Sequence, residues 1–136
     1  MITEIHNQAD FEREIVNHKG YSIIDFWATW CGPCRMMAPV MDHASELLGD
    51  KVNFTKVDTD EMQELAGQFD IMSIPTIILF KDGQEVHRMI GAVPQEAFLE
   101  ELHIYSIIYA IYSHITNFYN LESSFSIFYV KFCLYS

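Results

Sequence analysis

The sequence predicts an α/β domain in which a central mixed β-sheet is covered by helices on both faces. Residues 21–28 are apolar without alternation, which is typical of a strand buried on both faces. Apolar residues at helical spacing follow this run, and two later strand-like segments are separated by the turn signal Asp82-Gly83. The chain of 136 residues is long enough to bury one core, so one domain is the expectation.

The first elements alternate between strands and helices. Residues 2–6 predict a short strand, and Asn7 is a favourable N-cap for the helix that follows. After the strand over 21–28, a long helix is expected to bend at Pro39, where a backbone donor is lost. Residues 52–57 predict the next strand. The long helix should bury one stripe, formed by Met37, Val40, Met41, Ala44, Leu47 and Leu48.

The remaining elements complete the order β-α-β-α-β-α-β-β-α. Thr59 or Asp60 can cap a short helix, and residues 76–80 and 86–90 predict a hairpin around the Asp-Gly turn. Pro94 suits the first turn of a last helix, because its missing N–H is not needed there. The inward-facing residues of that helix are expected to be Phe98, Leu99 and Leu102.

Composition excludes some classes of protein. The net charge of -11 argues against a nucleic-acid partner, because phosphate binding needs clustered Lys and Arg. Three cysteines cannot form the disulfide framework of a small secreted domain. The first residues have neither the basic nor the long apolar region of a signal peptide, so we expect a reducing, cytoplasmic location.

The composition changes near residue 103. Residues 1–102 contain 18 of the 19 acids and every Gly, Pro and Trp, whereas 103–136 contain six of the seven tyrosines. We therefore predict one domain over 1–102 and an atypical hydrophobic extension over 103–136, either a helical continuation or disordered. Cys133 in this extension is the third cysteine and has no partner within a CxxC pair. We expect it to cause non-functional dimerisation through a disulfide between two copies of the chain.

Three hypotheses account for the extension. Translation past the usual end of the domain is the favoured one, and a partner-binding helix is second. Membrane attachment is third, because polar residues interrupt the apolar run and its polar face lacks Lys and Arg. Removal of 104–136 should then leave activity intact.

The segment Cys31-Gly32-Pro33-Cys34 joins a predicted strand to a predicted helix. Free N–H groups at a helix N-terminus favour an anion, so Cys31 should be the more acidic thiol and should accept hydrogen bonds from backbone N–H groups and from the Cys34 thiol. Cys34 should be more buried and less acidic. Pro33 begins a helix without wasting a donor, and Gly32 lets another backbone come close. This rigid pair suits a disulfide reductant.

Other interpretations of the cysteine pair are weaker. A closed zinc site needs two more ligands, but the sequence has no second cysteine pair and its six histidines are scattered, so no metal is expected. A purely structural bridge would not persist in a reducing compartment unless turnover was its purpose.

The segments DFWATWCGPC and SIPTIILFKDG resemble the thioredoxin family over residues 1–102. A CxxC pair alone is a weak signal, but Trp-Cys-Gly-Pro-Cys followed by Ile-Pro-Thr and by Gly91 beyond a hairpin is specific. The resemblance implies the thioredoxin fold and a monomeric protein disulfide reductant, which is a thiol–disulfide oxidoreductase. It further implies disulfide-containing protein substrates, no bound cofactor, and recharging by an NADPH-linked thioredoxin reductase.

The resemblance also implies roles for individual residues. Cys31 would attack the substrate disulfide, and Cys34 would resolve the mixed disulfide. Asp25 matches the family's buried acid, and burial in an apolar strand should raise its pKa so that it can take a proton from Cys34. Lys56 resembles the family lysine near that acid. The alternative is that Asp25 is only the structural partner of Lys56.

Pro75 matches the family's cis-proline, which faces the disulfide. Its preceding loop, residues 72–74, would offer backbone groups to an extended substrate. Trp27 is expected to pack under the site rather than contact substrate. An apolar platform around Cys31 is expected to consist of Trp30, Gly32, Pro33, Ile74, Gly91 and Ala92.

Two rival functions remain at this point. A disulfide oxidant or isomerase is disfavoured by the Gly32-Pro33 dipeptide and by the lack of a signal peptide. In a binding module, the platform would hold a protein partner and the redox pair would be incidental. A Cys31→Ser variant that kept its cellular role would favour the binding module.

Overall fold

A five-stranded mixed sheet organises the fold. The computed structural model describes residues 1–119. The order of elements confirms the predicted one, with the first helix continuing into a π-helical turn. The elements are β1 (Thr3–Glu4), α1 (Gln8–Phe11) with the π-helical turn Glu12–Val16, β2 (Tyr21–Trp27), α2 (Gly32–Leu48), β3 (Val52–Asp58), α3 (Gln63–Gln68), β4 (Thr76–Lys81), β5 (Gln84–Ile90) and α4 (Gln95–Tyr119).

The strands lie in the order β1-β3-β2-β4-β5. Strand β3 pairs in parallel with β1 and with β2, whereas β4 pairs antiparallel with β2 and with β5. One row of the register joins Glu4 to Lys56, Lys56 to Asp25, and Asp25 to Ile77. The central position of β2 explains its apolar sequence, because its successive residues are buried on both faces of the sheet.

Phe69 packs its ring against a buried core cluster. Its ring contacts Phe11, Phe26 and Phe80 with centroids 5.7, 5.8 and 5.6 Å apart. These distances suit favourable edge-to-face or tilted aromatic packing. The fully buried residues of this cluster include Ile5, Ile15, Ile24, Val57, Leu65 and Ile78.

Helix α2 buries a narrower stripe than the sequence predicts. Met37, Met41 and Ala44 are buried as expected, but Leu47 is 55% exposed and its inclusion was wrong. At about 100° per residue, Leu47 lies roughly 110° from the centre of the buried face. Ser45 lies on that face instead, and its hydroxyl donates to the Asp42 carbonyl at 2.8 Å.

The cap predicted for α3 is wrong, whereas the cap of α1 is confirmed. The Asn7 side chain accepts from the Asp10 N–H at 2.9 Å. Helix α3 begins only at Gln63, without a side-chain cap. Thr59 instead donates its hydroxyl to the Trp27 carbonyl at 3.2 Å, so it ties the loop after β3 to the end of β2.

The hairpin turn is confirmed by its backbone angles. Asp82 and Gly83 have φ of 49° and 79°, which is the arrangement of a type I′ turn. The Asp82 carboxylate accepts from the Gly20 N–H at 2.7 Å, which anchors the turn to the start of β2. A Cβ at Gly83 would lie 2.5 Å from the Val16 carbonyl oxygen.

We expect Gly83→Ala to lower the free energy of unfolding by about 1–3 kcal/mol, because the alanine would combine a positive φ with a close backbone contact. Gly67→Ala is the matched control, since a Cβ there meets nothing within 4 Å and alanine favours the helix. Urea unfolding of both variants measures the difference. Equal destabilisation of the two would contradict this account of the turn.

The chain divides into two units, Met1–His103 and Ile104–Ser136. In the first, α4 buries Phe98 and Leu102, and its first intrahelical bond runs from the Phe98 N–H to the Pro94 carbonyl. Pro94 thus precedes the helix rather than lying in its first turn.

In the second unit, the described residues belong to α4, where Ile104, Ile107 and Ile111 are exposed. No helix within residues 1–119 is both long and apolar enough to cross a membrane. Cys133 and the rest of 120–136 lie outside the described residues.

Candidate active site at the start of helix α2

The two cysteines of the CGPC segment lie at the N-terminus of α2 and are joined by a disulfide. Cys31 is the N-cap residue, with extended backbone angles, and Pro33 lies in the first turn. The Cys34 N–H donates to the Cys31 sulfur at 3.1 Å, which confirms the expected backbone hydrogen bond. The helix dipole and this N–H both favour negative charge on Cys31.

The expectation that Cys34 is the more buried cysteine is wrong. Cys31 is 3% exposed and Cys34 is 5% exposed. Ile74 and Trp27 pack against the pair together with Ala28, and the Cys31 sulfur lies 3.6 Å from the Ile74 carbonyl oxygen. These neighbours from outside α2 bury Cys31 as fully as Cys34 is buried within the helix.

The loop before β4 faces the disulfide. Its Ile74-Pro75 peptide bond is cis, as the resemblance implies. The Pro75 carbonyl accepts from the Gly91 N–H at 2.8 Å, so the end of β5 is held beside this loop. Gly91 has a φ of 89°, a conformation that side-chain-bearing residues rarely adopt.

The predicted platform residues differ in exposure. Trp30 is 67% exposed, and Gly32, Pro33 and Ala92 are also exposed, whereas Gly91 and Ile74 are half-buried. Pro75, beside the platform, is buried. The Trp30 indole N–H donates to the Asp60 carboxylate at 3.0 Å. No local pattern could reveal this bond, because it joins residues thirty positions apart.

Exposed apolar side chains extend beyond the predicted platform. Met72 is 93% exposed in the loop before Ile74, and Met36 and Ile90 are also largely exposed. Met36 follows Gly32 by one helical turn, and Ile90 precedes Gly91. Helical spacing relative to Gly32 was the signal that could have identified Met36.

Asp25 lies in the middle of β2 and is only 6% exposed. Burial raises its pKa to about 7, and the charge of Lys56 opposes part of this rise. Its Oδ1 atom has no hydrogen-bond partner within the described part of the chain. A carboxyl in this environment can exchange a proton near neutral pH.

Lys56 pairs with an acid other than Asp25. Its Nζ atom lies 3.9 Å from Oε2 of Glu4 and 5.3 Å from the centre of the Trp27 ring. The ion pairs described within residues 1–119 include this one but none between Lys56 and Asp25. Asp25 is therefore not held as the structural ion-pair partner of Lys56.

A cavity of about 320 Å³ lies beside Cys34. Its lining includes Asp25, Trp27, Arg35 and Lys56. A water molecule occupies about 30 Å³ in the liquid, so the cavity is large enough to hold water between the carboxyl and the second cysteine.

Across residues 1–119, no three His, Cys, Asp or Glu side chains cluster in a way that could hold a metal ion. The Cys31–Cys34 disulfide is a redox-capable group that the described residues do present.

Comparisons with known proteins agree with this geometry. The thioredoxin family model matches residues 2–103. Thioredoxin 1 of Synechococcus elongatus is 46% identical over 94 residues, covering 69% of this chain and 88% of that protein. Thioredoxin of Bacillus subtilis is 48% identical over 82 residues, covering 60% and 79%. The structure of Malassezia sympodialis thioredoxin (Mala s 13) aligns with a TM-score of 0.71 at 36% identity, covering 78% of this chain and 91% of that one.

The family match spans the described strands, the disulfide and the loop that faces it. The chain therefore belongs to the thioredoxin family and is a thiol–disulfide oxidoreductase that reduces disulfides through Cys31 and Cys34.

Proposed function

We propose that this chain reduces disulfides of protein substrates in the cytoplasm and is recharged by thioredoxin reductase with electrons from NADPH. The observation that carries the proposal is the placement of the Cys31 sulfur at the N-cap of α2, where it accepts the Cys34 N–H. Such a sulfur is stabilised as a thiolate, which is the attacking species in disulfide exchange.

The reaction proceeds in two exchanges. The Cys31 thiolate attacks one sulfur of the substrate disulfide, the substrate S–S bond breaks, and the other substrate sulfur leaves as a thiolate. The Cys34 thiolate then attacks the Cys31 sulfur of the mixed disulfide, the bond between Cys31 and the substrate breaks, and the Cys31–Cys34 bond forms. The second substrate sulfur leaves as a thiolate and takes up a proton from solvent. Two electrons pass from the protein to the substrate.

Asp25 acts as the base for the second exchange. It shares the cavity with Cys34, has an oxygen without a partner among the described residues, and has a pKa of about 7. It can therefore accept the Cys34 proton, through water in the cavity, when the mixed disulfide is resolved. Lys56 supports the site through its charge, and Trp27 supports it by packing against the cysteine pair.

Substrates dock around Cys31. The Ile74 carbonyl lies 3.6 Å from the Cys31 sulfur, so an extended substrate segment at this sulfur would meet the backbone of the loop that precedes Pro75. Pro75 and the apolar platform supply the surrounding contacts, the platform through Trp30, Gly32, Pro33, Ile74, Gly91 and Ala92.

The reaction needs a single copy of the chain, and residues 1–102 carry all of it. Residues 103–136 are an extension that the activity does not need. The support is that every proposed site residue lies in Met1–His103. A cytoplasmic location fits a disulfide reductant, because the cytosol keeps cysteine thiols such as those of Cys31 and Cys34 reduced. A monomer suffices, since no site residue has to come from a second copy.

The test is insulin reduction with NADPH and a bacterial thioredoxin reductase, using the full chain and a chain ending at His103. We expect both to consume NADPH at similar rates. A redox titration against glutathione should show the pair on the reducing side. A full chain that the reductase cannot recharge, or a pair more oxidising than glutathione, would contradict the proposal; loss of activity on truncation would contradict its domain assignment.

A further inference from the structure

Three charged residues lie side by side across three strands of the sheet. Glu4 on β1 is the register partner of Lys56 on β3, and Lys56 is the register partner of Asp25 on β2. Paired residues of adjacent strands point to the same face, so Lys56 has one carboxylate on each side. The row runs from the edge of the sheet to its buried centre.

The two carboxylates are not equivalent partners for Lys56. The Glu4 side chain is partly exposed, and its Oε2 atom lies 3.9 Å from the ammonium. Asp25 is buried, and its Oδ1 atom has no hydrogen-bond partner in the described region. Pairing with Glu4 keeps the ammonium partly hydrated, whereas a full ion pair at Asp25 would require more desolvation.

We propose that Glu4 is a positioning residue, which draws the Lys56 ammonium toward the edge of the sheet and away from the Asp25 carboxyl. Its consequence for the reaction rests on the proposed role of Asp25 as the base. With Lys56 held by Glu4, the Asp25 carboxyl keeps its affinity for a proton and stays able to exchange that proton with Cys34.

The other groups around the row do not replace Lys56 in this role. From α2, Cys34, Arg35 and Asp42 line the same cavity as Asp25. From β4, the residue opposite Asp25 is the apolar Ile77. His6 interacts electrostatically with Glu4 at the outer end of the row. Lys56 is the group whose charge opposes the raised pKa of Asp25.

The direct test is the titration of the Asp25 carboxyl by carbon-13 NMR in the full chain. The disulfide form is used, because neither cysteine titrates in it and the curve is not coupled to Cys34. In Glu4→Gln, Lys56 loses its outer partner and turns to Asp25. We expect the pKa of Asp25 to fall by roughly one pH unit, the low end of what a close opposite charge produces.

Three control variants make this result specific. Glu85→Gln removes an equivalent acid that pairs with Arg88 on β5, and it should leave the Asp25 titration unchanged. Lys56→Met should raise the pKa of Asp25, because it removes the opposing charge. Glu4→Gln added to Lys56→Met should have little further effect, because Glu4 acts through Lys56.

An unchanged Asp25 titration in Glu4→Gln would overturn the inference. An equal fall in Glu85→Gln, or the same fall in the Lys56→Met background, would overturn it as well. A second measurement separates it from the proposed function, namely the pH dependence of mixed-disulfide release in a single turnover. If the Asp25 pKa falls but the acid limb of that release does not move, the positioning role of Glu4 stands and the role of Asp25 as base is wrong.

Discussion

Replacing Cys31 with serine is expected to abolish disulfide reduction, with a loss on the order of 1000-fold or more, as for removal of other catalytic nucleophiles. A serine hydroxyl at the N-cap of α2 is not ionised near neutral pH and cannot attack a disulfide. Cys34→Ser should allow the attack and block the resolution, so the mixed disulfide between Cys31 and the substrate should accumulate. Mass spectrometry of the protein after mixing with a disulfide peptide measures both outcomes.

The two variants are best made in a Cys133→Ser background, which removes the third thiol of the chain. Cys133→Ser alone is the control and should reduce substrate at the rate of the unchanged chain. A stable peptide adduct in Cys31→Ser, combined with none in Cys34→Ser, would reverse the proposed roles of the two cysteines.

Asp25→Asn is expected to stabilise the protein above pH 7 by as much as roughly 4 kcal/mol. The folded protein holds the Asp25 proton up to a pKa of about 7, against an ordinary value of 3.8. Between these two values the folded state binds more protons than the unfolded state, so stability falls as the pH rises from about 4 to 7. At 1.36 kcal/mol for each pH unit, this difference gives the stated upper value.

Urea unfolding at pH 5 and at pH 8 tests this expectation. At pH 8 the unchanged protein must bury a charged carboxylate, whereas Asp25→Asn buries a neutral amide. At pH 5 the two proteins should differ much less, because Asp25 is then protonated in the folded state. Asp42→Asn is the matched control, since Asp42 lines the same cavity but is exposed. A stability gain that is the same at both pH values would contradict a raised pKa for Asp25.

The same substitution should slow the reaction at one step. Formation of the mixed disulfide depends on Cys31 and should change little, whereas its release depends on removal of the Cys34 proton and should slow by about 100-fold or more. Quenched single-turnover reactions separate the two steps. Equal slowing of both steps would indicate a general disturbance of the site.

Much of the fold could be predicted because its signals are local. The Asn7 cap, the Asp82-Gly83 turn and the apolar run of β2 each express a preference of a few adjacent residues. The CGPC segment likewise carries its own helix start, since Pro33 occupies the first turn of α2.

What could not be predicted depends on contacts between distant segments. Part of the cover over Cys31 comes from Ile74, which lies 43 positions away, and the hydrogen bond of the Trp30 indole is to Asp60, thirty positions away. The partner of Lys56 depends on the register between β1 and β3, which no local pattern specifies. The cap of α3 failed for a related reason, because Thr59 bonds to β2 rather than to its own helix.

The strand order has a further consequence for how the protein avoids self-association. The two outer strands are β1, which is only two residues long, and β5, which carries the ion pair of Glu85 and Arg88 and an irregular register near Leu79. Edge strands that are short, charged or irregular in register are poor templates for hydrogen bonding to the backbone of another molecule. The exposed edges of the sheet are therefore poorly suited to fibril-like growth by strand addition.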